Sequence, residues 1–371
     1  MKSICFVTTG EDIATNASSK RALGLANPLS DLGWKVYILM RDAEENRHRC
    51  SMECDARTTV IYMSFSSAND ERRKKTAAIR ELRPDVVYLC AFVYRNKVHV
   101  PKGCVKIVEH SELMSTFKSL SIIQRMRHWL FEHLSVIYSD GLLNASRYIE
   151  KVYEKRSRRL FKKNIPMLYF PYAYNKSVCV RNDCYGKVFK KEDGVRYFVF
   201  LGSLSIEYGA MTMVMAFERV AKYAGNIKLI LCGKGPAYES VKEYVASHGL
   251  QDTVYMQGYI LEEDIPAYFT LADAFVSPMN DTIQDWARCP SKLYMYLPYH
   301  KPVVTCKIGE PYEVLQEKGV YYTPSDYKSM ADAILSMDKN DYWNMEIDET
   351  LYEWHHRGLE LSEWIEKNWR K

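Results

Sequence analysis

Four stretches decide the fold of this chain: Tyr197-Phe-Val-Phe-Leu-Gly202, Lys228-Leu-Ile-Leu-Cys-Gly-Lys-Gly-Pro236, Val254-Tyr-Met-Gln-Gly-Tyr-Ile260 and Cys289-Pro-Ser-Lys-Leu-Tyr-Met-Tyr-Leu-Pro-Tyr-His-Lys-Pro-Val303. The first three are apolar runs of strand length that stop at a glycine or polar turn, with a helical pattern beginning just beyond. In open α/β sheets that junction is where nucleotides and phosphates bind, because helix N-termini leave N–H groups unsatisfied there. One ligand site is therefore expected on this half of the chain.

Working outward, residues 3–8, 35–40, 59–63, 85–89, 105–108, 141–144 and 167–170 read as further strands, and 18–32 and 68–82 as helices. Strands separated by helices imply right-handed crossovers and a mostly parallel sheet. The polar, basic stretch 175–192 has the composition of a linker, and the pattern restarts at Val195. A chain of 371 residues exceeds one comfortable core, so two Rossmann-like domains are expected.

Composition narrows the class. Ile4-Cys-Phe-Val7 is too short for a signal-peptide core and reads as a buried strand, and no run of membrane-spanning length follows, which predicts a cytoplasmic protein. The ten cysteines are scattered, mostly in apolar runs, with no C-x-x-C pair, and read as reduced core thiols. Cys50, Cys54 and His48 are three ligands where structural zinc takes four, so no metal is expected. Net charge is only +5, but residues 117–163 hold eleven Lys or Arg against four Asp or Glu. That segment favours anionic lipid headgroups or pyrophosphate-linked acceptors over nucleic acid, for which no motif appears.

The order and content of these segments, with Leu271-Ala-Asp-Ala-Phe-Val-Ser-Pro278, Arg83-Pro-Asp-Val-Val87 and Lys301-Pro-Val-Val304, resemble the retaining glycosyltransferases of GT-B fold, the family 4 group of glycosyl transferases group 1. The resemblance covers most of the chain. It implies an α/β architecture of two Rossmann-like domains with mostly parallel sheets facing across a cleft. The acceptor-side domain would span 1–185 and the nucleotide-sugar domain 192–347. A C-terminal helix over 348–371, with Trp354, Leu361, Trp364 and Ile365 near one face, would cross back onto the first domain, the alternative being a plain helix capping the second sheet.

Sugar transfer from a nucleotide diphosphate needs charge neutralisation on the leaving diphosphate, a slot for base and ribose, and a positioned acceptor hydroxyl. Relatives commonly supply the charge from Gly-Arg-Leu followed by Lys-Gly. Here Gly202-Ser-Leu-Ser-Ile-Glu-Tyr-Gly209 puts Ser203 and Tyr208 in those places, so Arg288 and Lys292, flanking Pro290 and Ser291 at a helix start, are expected to take over. The family's paired glutamates fall on Ala287 and Met295, leaving Asp281, Asp285 or Glu207 as substitutes for the ribose contact. The resemblance further assigns Gly202, Lys234, Tyr259 and Ile260 to the donor. In the first domain it assigns Gly10 and Asn16 to the loop after the first strand, and His110 to orienting the sugar and stabilising developing positive charge. Glu109 and Glu112 would orient the acceptor. Each has a plainer reading: a helix cap for Asn16, an exposed turn for Lys234, a satisfied loop histidine for His110, surface cations for Arg288 and Lys292.

Residues 116–134 alternate Lys118, Arg125, Arg127 and His128 with Ile122, Ile123, Met126, Trp129, Leu130 and Phe131. Such spacing reads first as a core-facing helix, and otherwise as a basic amphipathic helix in a membrane interface, as in relatives acting on lipid-linked acceptors. The leading expectation is a retaining glycosyltransferase, needing no metal, that moves a sugar from a UDP- or GDP-sugar to a glycan or lipid-linked acceptor of cell-surface polysaccharide synthesis. It would be cytoplasmic, with contact at the inner membrane face through 117–163 left open. The alternatives are a catalytically silent GT-B protein binding nucleotide, glycan or a partner enzyme, and an epimerase or phosphorylase of the same fold.

Overall fold

Strand sequences such as Val86–Leu89 (Val-Val-Tyr-Leu) are apolar at every position and buried at every position, the signature of a parallel sheet covered on both faces. A computed structural model describes residues 2–9, 17–176, 191–337 and 342–369. The chain divides into two compact units, the first comprising Met1–Ala173, Ala287–Cys289 and Thr350–Lys371, the second Tyr174–Trp286 and Pro290–Glu349.

The first unit is built on a seven-stranded sheet. In chain order its strands are β1 (Lys2–Val7), β2 (Trp34–Arg41), β3 (Thr59–Met63), β4 (Val86–Leu89), β5 (Val105–His110), β6 (Gly141–Asn144) and β7 (Met167–Tyr169), arranged β3-β2-β1-β4-β5-β6-β7. Every pairing is parallel. The strand order reverses between β1 and β4, and a crevice outside the carboxyl ends of those strands is where such sheets bind ligands.

The second unit repeats the plan with six strands: β8 (Arg196–Leu201), β9 (Ile227–Cys232), β10 (Val254–Gly258), β11 (Ala274–Val276), β12 (Val303–Thr305) and β13 (Val320–Tyr321), arranged β10-β9-β8-β11-β12-β13, all parallel. Its switch point lies between β8 and β11, which puts the turn after Gly202 at the expected ligand position.

The helix Trp354–Trp369 joins the first unit through its apolar face. A side chain on Gly24 of the helix Ala17–Asp31 would come within 2.4 Å of the Trp354 indole, and one on Gly358 within 2.6 Å of Pro28, so small residues let the two helices meet closely. The Trp34 indole N–H donates to Ser362 Oγ at 2.9 Å. The helix Glu44–Glu53 was not expected from sequence; its residues are predominantly polar, and only Asn46 and Cys50 are buried.

Candidate functional site

In the second unit, the loops leaving β8, β9 and β10 are zipped together through their backbones. Gly202 N–H donates to Cys232 C=O at 2.9 Å, Gly233 N–H to Gly258 C=O at 2.6 Å, and Leu204 N–H to Lys234 C=O at 3.1 Å. The contact is so close that a Cβ on Gly233, at φ 147°, would stand 1.9 Å from the Gly202 carbonyl oxygen. Only glycine fits this approach, which accounts for the Gly-Lys-Gly punctuation.

Two cations serve this junction. Lys292, in the first turn of the short helix Ser291–Tyr296, lays its ammonium 3.8 Å from the centre of the Phe200 ring. The same Nζ is 3.1 Å from where a Gly202 Cβ would be, so its charge sits at the carboxyl end of β8. Lys234 is exposed, lies against Gly258 and has its ammonium 5.7 Å from the Tyr238 ring. Ser203 is exposed beside Gly235, Tyr208 is half-buried with its N–H capped by Ser205 Oγ at 3.1 Å, and Asn280 donates to the Ile206 and Glu207 carbonyls at 3.0 and 2.9 Å, pinning that turn. Tyr259 is 67% exposed, Ile260, Ser291 and Met295 are half-buried, and Pro290 is buried.

Of the acids offered in place of the two missing glutamates, Asp285 is buried in a reciprocal cap, accepting from Thr282 Oγ1 at 2.6 Å while its own N–H meets that hydroxyl at 3.2 Å. Asp281 accepts from the Trp286 indole at 2.7 Å. Glu207 remains, exposed on the turn Ile206–Tyr208. An unexpected carboxylate, Glu310, is buried in the first turn of Gly309–Leu315 and accepts from Tyr294 O–H at 2.6 Å. A lone glutamate in an acidic helix start carries no pattern that would have singled it out.

In the first unit, the end of β5 faces a cavity of about 480 Å³ lined by His110, Glu112, Tyr94, Arg127, His128 and Phe131 among others. The residues expected there take different roles. Glu109 is fully enclosed: Arg21 Nε stands 2.8 Å from one carboxylate oxygen and Tyr88 O–H donates to the other at 2.7 Å, so it braces the sheet and is not free to orient an acceptor. Arg21 also donates to the Phe170 and Pro171 carbonyls at 2.9 and 3.0 Å. His110 is buried, stacked on Tyr153 at 4.0 Å, with Nε2 3.0 Å from Ser135 Oγ and Nδ1 3.0 Å from Tyr153 Oη. Burial, helped by the Arg156 charge, pushes its pKa down to about 3, so it stands neutral with both nitrogens engaged. It holds structure and carries no charge toward a sugar; Ser135 and Tyr153, its partners, were invisible to sequence reading because they lie 25 and 43 residues away.

Glu112 is partly exposed on the cavity; burial raises its pKa and the Arg288 charge opposes that. Arg288 itself is buried and belongs to the first unit, where Ser146 Oγ donates to Ala287 C=O at 2.7 Å and Tyr172 N–H lies 3.2 Å from Cys289 Sγ. The pair expected from sequence is thus shared out: Arg288 with Glu112 in one unit, Lys292 with Gly202 in the other. Near the end of β1, the buried Lys75 donates to Thr8 C=O at 2.6 Å and to Asn96 Oδ1 at 2.8 Å. Gly10 and Asn16 lie outside the described residues.

The helix Ile122–Tyr138 meets the core as expected through Phe131, Leu134, Val136 and Tyr138, but leaves much of its apolar surface outside. Its buried side carries Glu132, Ser135 and Val136, while Ile122, Ile123, Met126, Trp129 and Leu130 are exposed. Glu132 accepts from Ser115 N–H and Oγ and from Arg156, so the inward face combines these polar bonds with the core contacts of Phe131, Leu134, Val136 and Tyr138.

Residues 195–340 match the family described as Glycosyl transferases group 1. Among curated proteins, the chain is similar to alpha-monoglucosyldiacylglycerol synthase of Streptococcus pneumoniae, 28% identical over 44% of this chain and 36% of that protein. It is similar also to 2-deoxystreptamine N-acetyl-D-glucosaminyltransferase of Niallia circulans, 24% identical over 40% of this chain and 37% of the relative. The match thus spans little more than a third of each relative's length. Among solved structures, Anabaena HepE in complex with UDP and glucose superposes with a TM-score of 0.70 at 12% identity, covering 98% of each chain. Sucrose-phosphate synthase from Thermosynechococcus elongatus does so at 0.74 and 14%, covering 99% of each. The fold is that of the GT-B glycosyltransferases, as the sequence resemblance implied.

Proposed function

We propose, from a second unit that carries the group 1 glycosyltransferase segment, that the protein is a glycosyltransferase that takes its sugar from a nucleotide diphosphate and retains the anomeric configuration. The observation that carries this reading is the Lys292 ammonium held against Gly202 at the switch point of the second sheet, beside backbone so closely packed that only glycine fits. A positive charge and unobstructed backbone at that place suit a diphosphate. In transfer, the bond from the anomeric carbon to the diphosphate oxygen breaks, Lys292 balances the charge left on the phosphate, and the acceptor hydroxyl forms the new bond on the same face. Its proton passes to the departing phosphate oxygen, so no protein carboxylate is needed as base. The donor is a UDP- or GDP-sugar and the acceptor a glycan or lipid-linked intermediate of cell-surface polysaccharide synthesis; a relative named as a synthase of monoglucosyldiacylglycerol supports a lipid acceptor, while one named for transfer to 2-deoxystreptamine lies outside that range. Glu207 is the acid assigned to the ribose, and Glu112 with Arg288 to the acceptor side.

Calorimetric titration with UDP and GDP, followed by donor hydrolysis and transfer assays, tests the reading: saturable binding of one nucleotide at sub-millimolar concentration is expected. A second reading, a silent protein of the same fold, is favoured by Ser203, Tyr208, Ala287 and Met295 standing where relatives carry charge. Nucleotide binding without turnover of any nucleotide sugar selects it, and no nucleotide binding at millimolar ligand rules against the enzyme, leaving a silent protein that binds a glycan or a partner enzyme.

A further inference from the structure

The amino ends of β4 and β5 carry a cluster of cations that neither the sheet nor the proposed function uses. A cavity of about 610 Å³ there is lined by Arg80, Arg83, His99 and Lys102, with Asp85 as its one carboxylate. Asp85 is already engaged: its Oδ2 accepts from Ser3 N–H at 2.8 Å and from Ser3 Oγ at 2.7 Å. The four basic side chains are exposed and make no ion pair among the described residues. Arg83 stands there at a conformational cost. It caps the helix Ala68–Leu82 in the left-handed region, at φ 43° and ψ 56°, where glycine is the ordinary and unstrained choice. The helix dipole favours Arg80 and Arg83 at that end, but it gives no reason for His99 and Lys102 to converge on them from the segment ahead of β5.

We propose that this cavity binds the diphosphate group of a small molecule. Two guanidinium groups and an ammonium face a single carboxylate that is already tied to Ser3, and guanidinium forks pair phosphate oxygens two at a time. The volume is that of a small-ligand site. Asp85 and Gly103 also line an adjoining cavity of about 590 Å³ whose walls include Trp369, Ile365 and Leu32. A cationic compartment beside an apolar, partly aromatic one suits an organic diphosphate, with its ring against Trp369 and its phosphates among the arginines, better than the inorganic ion. Both cavities belong to the first unit and lie at the amino end of its sheet, whereas the His110 cavity lies at the carboxyl end. The inference goes beyond the transferase reading and does not depend on it, since none of these residues takes part in that site.

Calorimetric titration of the full chain with ADP and with inorganic pyrophosphate tests it, in a Lys292→Ala background that keeps the second unit's proposed site out of the readout. Saturable binding that weakens with added salt is expected. Adding Arg83→Asn/Lys102→Gln should weaken both probes at least about tenfold, the loss expected when charge-assisted hydrogen bonds are removed. The variant should melt with its parent, because both side chains are exposed and asparagine accepts the left-handed backbone; should it fail to fold, Arg80→Gln/Lys102→Gln serves. ADP binding about fivefold tighter than pyrophosphate, a margin that Trp369→Leu removes, assigns the organic ligand, and equal affinities assign the inorganic diphosphate. No binding of either probe at millimolar ligand, or binding that the folded variant leaves unchanged, overturns the proposal.

Discussion

At the scale of single residues, Lys292 and His110 illustrate opposite fates of a candidate side chain. Lys292 lies against Gly202 at the second unit's switch point, next to Gly233, where a Cβ would run into the Gly202 carbonyl, so its charge has a place to act. On the proposed function, Lys292→Ala should lower kcat about a hundredfold, the usual cost of removing one group aimed at transition-state charge. The same variant should abolish a UDP-dependent rise in Tm, and a rise that persists unchanged would remove Lys292 from the site. His110 is a titration switch for stability. Its pKa drops from 6.5 to about 3 on folding, so the folded state binds fewer protons than the unfolded state between those values. Its contribution is present above about pH 6.5 and is lost as pH falls toward 3, on the order of 4 kcal/mol in full. His110→Gln, which keeps a donor and an acceptor, should flatten the fall in denaturation free energy between pH 7 and pH 4; parallel curves for the two proteins would contradict this.

At the scale of elements, one carboxylate anchors the helix Ile122–Tyr138 alongside its core contacts. Glu132 ties it to the turn Met114–Thr116 through Ser115 and to the following segment through Arg156, at 3.0 Å, with both ionised groups nearly enclosed. Removing one partner leaves the other buried and uncompensated, which typically costs about 3–5 kcal/mol. Glu132→Ala should therefore destabilise the protein by about that amount in urea denaturation, while Ile123→Ser on the opposite face of the same helix should cost under about 0.5 kcal/mol. Equal losses at both positions would mean that the Glu132 contacts contribute no more than an exposed side chain does.

At the scale of the whole molecule, chain order and spatial organisation part company. The helix Trp354–Trp369 follows the second sheet in sequence yet is packed into the first unit over Gly24 and Pro28. Trp354→Ala should lower stability by about 3–5 kcal/mol, the range for a large buried aromatic. It should leave the affinity for UDP within twofold on the proposed function, because the donor residues belong to the other unit; calorimetry on the folded variant decides. The strands β1 to β10 were legible in the sequence to within a residue or two at most ends, since a strand buried on both faces must be apolar throughout and its turns must be glycine or polar, both local constraints; the short β13 was not. The convergence of loops at the carboxyl end of the second sheet was legible for the same reason: Gly202 and Cys232-Gly-Lys-Gly-Pro236 mark where backbones meet. What only tertiary structure decided is which way a side chain faces and which distant group meets it. Periodicity defines the two sides of the helix at 122–138 but not which is turned inward; Glu132 with Ser115 and Arg156, and the packing of Phe131, Leu134 and Val136 on the core, settle that. The enclosure of Glu109 by Arg21 and Tyr88, and of His110 by Ser135 and Tyr153, likewise depends on partners brought together by the sheet, so their desolvation could not be read from the residues beside them.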